Sequence, residues 1–139
     1  MKKTNGSNDY KRAIALIAMM KADGKVTAEE EKFLMTEVKN IDMAREDKLA
    51  LVDNIKMKYE DLEEISLKMI ATLPRGEQIN NLKEIYLLAH ADNKFHPKEK
   101  ALYLKYLSAC GFNPSKHPGI LEWMKLHLKI KQKAVELFK

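Results

Sequence analysis

Apolar residues recur three or four apart along most of this chain, and short polar breaks divide them into helical segments. Tyr10, Ala13, Ile14, Ile17 and Met20 predict a first helix from about 9 to 23 with one buried stripe. Gly24 suits the left-handed position just past a helix end. Thr27 opens a second helix with Glu30 three residues on, a capping box, and Phe33, Leu34, Val38 and Ile41 give that helix its apolar face. Asp42 is the expected cap of a third helix, about 43–57, with Leu49, Val52, Ile55 and Met57 inward. A fourth, about 60–73, carries Leu62, Ile65, Met69 and Leu73 and stops before Pro74, with Arg75-Gly76 completing the break. A fifth, about 77–92, carries Ile79, Leu82, Ile85, Tyr86 and Ala89. The sixth has His96 in the cap position and Pro97 first, then Leu102, Leu104, Tyr106 and Leu107, and Gly111 closes it. The seventh begins near Pro118 and runs close to the C-terminus, with Leu121, Met124, Leu128 and Val135 inward and Trp123 nearby.

The pattern repeats. Shifting the chain by 69 residues lays Tyr10 on Ile79, Ala13 on Leu82, Ile17 on Tyr86, Phe33 on Leu102 and Val38 on Leu107. Asn93 then falls on Gly24, and Asn is the non-glycine residue that best tolerates a left-handed backbone. The fold expected is all-α, about seven helices in two related helical hairpins packed about a pseudo-two-fold axis. The third and fourth helices bridge the halves.

Composition narrows this further. Five glycines and four prolines among 139 residues leave little besides helix, and 45% apolar content supplies a core for a single domain over 9–139 behind a flexible tail at 1–8. A single cysteine, Cys110, excludes an intrachain disulfide. No apolar run approaches the ~18–20 residues that span a bilayer. The polar stretch after Met1-Lys2-Lys3 lacks the apolar core of a signal peptide, so a cytoplasmic location is expected. A net charge of +5 permits anionic partners without demanding them.

The repeated segments carry the candidate chemistry. Asp23 and Asp92 each close a predicted helix, where a carboxylate opposes the partial negative charge of the helix end. Glu30 and Glu99 follow seven positions on, in the first turn of the next helix. Two hairpins packed about a two-fold axis bring four carboxylates together, an oxygen-only set suited to Ca²⁺, Mg²⁺ or Mn²⁺. An EF-hand fails on register. With Gly24 as the loop glycine, loop positions 1 and 3 fall on Met19 and Lys21, and in the second copy on Leu88 and His90. The other reading of these carboxylates is structural: Glu30 is the capping-box carboxylate, Glu99 a favourable charge in a first turn, and Asp23 and Asp92 bond their own turns.

At these residues the chain resembles the TerB-like family, whose pattern is an apolar helix ending in Ala-Asp-Gly, then Glu and a second apolar helix. Here it reads Ala22-Asp23-Gly24 with Glu30, and again Leu87 to Asn93 with Glu99, across roughly residues 9–112. The resemblance implies an all-α fold of two halves and a divalent-metal site on Asp23, Glu30, Asp92 and Glu99. It also implies a role in bacterial tellurite, phage and envelope-stress responses, as a non-enzymatic binding or scaffold module in membrane-associated protein complexes. The chain departs from the pattern at Asn93, and at Lys98, which stands opposite Glu29. His96-Pro97-Lys98 and His117-Pro118-Gly119 are not the His-Pro-Asp of a J-domain.

The last helix is basic, with Lys125, Lys129, Lys131 and Lys133 around His127. Such a helix either covers the core with a solvated face or docks, without any metal, on anionic membrane or nucleic acid. Three arginines in the whole chain argue against base readout. The four histidines lack the paired spacing of a zinc site, though His90 and His96 flank the second turn. No nucleophile elbow, Walker loop or dinucleotide fingerprint is present; the enzymatic reading is a metal held by these carboxylates, with His90 or His96 offering a ligand or an acid–base group.

Overall fold

The computed structural model describes residues 7–22, 28, 31–32, 35–36, 38, 42–90 and 95–139. Its helices are α1 (Asn8–Lys21), α2 (Arg45–Ile55), α3 (Tyr59–Ala71), α4 (Arg75–Ala89), α5 (Pro97–Ala109) and α6 (His117–Leu137), with a 3₁₀ turn at Pro114–Lys116. No strand occurs among the described residues, so the chain is all-α. Of the predicted second helix, Ala28, Glu31, Lys32, Met35, Thr36 and Val38 are helical, and Val38 joins the core. Phe33, Leu34 and Ile41, the Gly24 turn and the Thr27–Glu30 capping box lie outside the described residues.

α1 is the central helix and packs against α2, α3, α4 and α5. Ile14, Ala15, Ala18 and Met19 are fully buried, and Tyr10, Ile17 and Ala22 nearly so. That is most of a helix surface rather than one stripe. The small side chain of Ala15 permits close approach, and the Tyr106 hydroxyl of α5 reaches the Ala15 carbonyl at 3.1 Å. Each large side chain buried here contributes roughly 1.5–3 kcal/mol. Ser7 starts the helix: its hydroxyl accepts from the Tyr10 N–H, and its own N–H donates to Asp47 at 3.2 Å. The helix therefore begins at Asn8, and Ser7 is tied into the fold.

α2 departs from expectation in two ways. Its cap is Ala44, without a side-chain bond, rather than Asp42. Its buried face reads Asp47, Leu51, Asn54 and Ile55, which turns Leu49 outward at 57% exposure. The polar residues on that face are there because α1 supplies partners: Ser7 for Asp47, and the Tyr10 hydroxyl, 2.9 Å from Asn54.

Pro74 ends one helix and caps the next, so Arg75-Gly76 are the first residues of α4 and not part of a longer break. The fixed φ of proline, here −58°, suits the residue entering a helix, and only the residue ahead of it is barred from one. Gln78 then donates back to the Ile70 carbonyl at 3.0 Å, closing the end of α3. α5 starts as the spacing predicts, with His96 as cap and Pro97 in the first turn. It ends in a Schellman motif. Gly111 has φ +89°, its N–H donates to Ser108, and the Phe112 N–H donates to Leu107 at 3.0 Å.

α1 and α4 lie side by side. Asn8 donates to Glu77 at 2.9 Å and Asn81 to the Arg12 carbonyl at 3.3 Å, and each bond joins positions 69 apart, the offset of the sequence repeat. Contacts that advance together along both helices mean that the two run in the same sense.

α6 packs on α4. Met124 is buried, and Leu121 and Leu128 rest against the core. Residues 129–139 are all exposed. Val135, expected inward, is 61% exposed because the helix has left the body by that point.

Candidate functional site

The paired acidic turns follow the ends of α1 and α4. α1 ends at Lys21 with Ala22 as cap, and α4 at Ala89 with His90 as cap. Both helices stop earlier than their predicted ends at Asp23 and Asp92. Asp23, Glu30 and Asp92 lie outside the described residues, so of the four expected ligands only Glu99 is placed.

Glu99 completes a capping box. Its Oε1 accepts from the His96 N–H at 2.9 Å, and the His96 ring accepts from the Lys98 N–H at 3.1 Å. This goes beyond the favourable first-turn charge expected of Glu99. Among the described residues no three His, Cys, Asp or Glu side chains come together as a metal site.

The surroundings of both turns are firmly built. Lys21 donates to the carbonyls of Ile55 and Met57, where its cation meets the negative end of α2. The basic residue at the end of α1 is thus committed to a neighbouring helix. The equivalent position in the repeat is His90, whose Nδ1 lies 2.8 Å from the Tyr86 carbonyl. Donating there leaves Nε2 as the acceptor nitrogen. The ring stacks on Tyr86 at 4.1 Å and meets Phe95 at 4.5 Å. The chain therefore leaves α4 and returns toward α5 at adjacent points, held by an aromatic cluster that Tyr103 completes.

Two other groups of titratable side chains are structural. Glu63 accepts from Tyr59 and from Lys105, each at 2.9 Å, tying α3 to α5. Burial acts to raise its pKa, but the bonds from Lys105 and Tyr59 outweigh it and hold the carboxyl below its ordinary value. Cys110 is buried at the end of α5, and burial pushes its thiol up to about 11 against the opposing pull of Arg75, which suits packing rather than reactivity.

The feature that periodicity did not single out is on α6. Trp123, Leu126, Ile130 and Leu137 are 44%, 52%, 66% and 64% exposed. They form a second apolar stripe beside the core stripe of Leu121, Met124 and Leu128. The spacing of Trp123, Ile130 and Leu137, seven apart, was its signal in the sequence.

Helices gathered around a buried first helix define an all-α helical module. The family model described as tellurite resistance protein TerB matches residues 11–118, and the chain belongs to that family. It is a tellurite-resistance-related module. No curated protein and no solved structure matches it. Nearly all of α6 lies beyond the matched stretch. Among the described residues, no helix is long and apolar enough to cross a membrane.

Proposed function

We propose that the chain is a non-enzymatic binding or scaffold module of a bacterial stress response, cytoplasmic or peripheral to the inner face of the membrane. In this reading its paired acidic turns hold a divalent cation through Asp23, Glu30, Asp92 and Glu99. The observation that carries it is the register of α1 and α4. The helices that deliver Asp23 and Asp92 run in the same sense and are bonded at an offset of 69. A hard cation such as Ca²⁺, Mg²⁺ or Mn²⁺ would supply positive charge to a cluster of carboxylates and couple the two turns. Metal-dependent change in the turns would then alter the surface offered to protein partners.

Isothermal titration of Ca²⁺, Mg²⁺ and Mn²⁺ into the full chain tests this, beside Asp23→Asn and Asp92→Asn. Saturable binding that either substitution abolishes supports one shared site. Absence of heat with every cation, together with unchanged melting, returns the carboxylates to capping and turn roles.

The exposed stripe of α6 favours a second reading: docking through that helix on an anionic surface, membrane or nucleic acid, with no metal involved.

A further inference from the structure

We infer that α6 is an interfacial anchor that lays its outer stripe on an anionic lipid surface. This commits the second reading to one class of partner. Steps of 100° per residue place Trp123, Leu126, Ile130, Ala134 and Leu137 within an arc of about 80°, over a length of about 21 Å. The arc is turned about 150° from that of Leu121, Met124 and Leu128, which face the core. The body of the protein therefore uses one side of the helix and leaves the other uncovered. Beyond Leu128 every residue is exposed, so the stripe stands on a projecting ridge and not in a groove shaped for a partner.

Charge selects the occupant. Residues 116–139 carry six lysines and two glutamates, a net +4 in a chain whose total is +5. Lys131 and Lys133 flank the stripe on opposite sides, where their stems can lie along acyl chains while the amines reach headgroup phosphates. A second copy packed stripe to stripe would double that positive charge along one seam. Nucleic acid would meet the lysines but has no use for Trp123 or Ile130, and α6 contains no arginine. An anionic bilayer surface takes both features at once.

Trp123 is the single tryptophan, so the full chain carries its own probe on the stripe. The experiment is tryptophan emission and co-sedimentation with vesicles of phosphatidylcholine alone or mixed with phosphatidylglycerol, beside gel shift with a short DNA duplex. The expected result is a blue shift and sedimentation with the anionic vesicles only, weakened by salt. Ile130→Glu should cut apparent partitioning at least tenfold, and so should a variant with Lys129, Lys131 and Lys133 changed to Gln. Both alter exposed residues, and circular dichroism confirms that the fold persists. Sedimentation undiminished by Ile130→Glu would mean adsorption by charge alone and would overturn the anchor. DNA binding without vesicle binding overturns the lipid assignment while leaving the second reading standing. Binding to neither overturns both, as does a dimer broken by Ile130→Glu with no affinity for vesicles.

Discussion

Asn81 donates from Nδ2 to the backbone carbonyl of Arg12, 3.3 Å away and 69 positions earlier in the chain. These are equivalent positions of the sequence repeat, yet they carry different loads. Arg12 turns its guanidinium outward to Asp9 and Glu77, whereas Asn81 is wholly buried between helices. Of the two, only Asn81 faces the interior.

Asn81 also presents a buried Oδ1 with no partner among the described residues. An orphaned buried acceptor costs about 1–3 kcal/mol, and the Arg12 carbonyl, inside a helix, keeps its helical bond without Asn81. Asn81→Leu is therefore expected to hold stability within about 1 kcal/mol of the parent or to raise it, whereas Asn81→Asp buries a charge and loses more than ~2 kcal/mol. Urea midpoints at constant m-value decide the matter. A large loss in Asn81→Leu would place an ordered water on Oδ1.

Tyr106 joins three helices through one hydroxyl, 3.1 Å from the Ala15 carbonyl on α1 and 2.9 Å from Ser66 on α3. Removing the hydroxyl alone, in Tyr106→Phe, leaves Ser66 buried with a lost neighbour and should cost about 1–3 kcal/mol. Tyr106→Ala adds a cavity and should cost about 3–5 kcal/mol. Unchanged stability in Tyr106→Phe, measured by denaturant unfolding, would show that the hydroxyl contributes nothing.

The glycines should divide by conformation. Gly111 has φ +89°, and a Cβ there would meet only the Arg75 guanidinium, at an ordinary 3.8 Å. The cost of Gly111→Ala is therefore conformational, about 1–2 kcal/mol. Gly76 and Gly119 lie inside helices with open space around the missing Cβ. Alanine at either should stabilise by about 0.4–1 kcal/mol through the unfolded chain. Thermal melts of the three variants check the sign at each position.

Glu63 supplies a pH dependence. Its pKa is lowered in the folded state relative to 4.5, so it binds its proton more readily when the chain unfolds. The stability it contributes is complete at neutral pH and is lost as pH falls below the ordinary glutamate range. Glu63→Gln should flatten the acid limb of the stability curve between about pH 5 and 3 and leave its shape near pH 8 unaltered. An acid limb identical to the parent's would remove Glu63 from the account.

Much of the fold was legible without coordinates. Spacing of apolar residues located the helices, and His96-Pro97 and Gly111 marked the two ends of α5. Of the acidic site, the residue types and their spacing were legible, and the structure adds only that Glu99 caps α5. What periodicity could not decide is which neighbour each face meets. Leu49 reads as core and points outward, the polar Ser66, Gln78 and Asn81 lie buried, and α6 carries two apolar stripes of which the body covers one. The repeat of a helix is a property of its own residues, set by 3.6 residues per turn. Burial is a property of several helices at once, so a polar side chain goes inside when another element brings its partner, and an apolar stripe stays outside when none arrives.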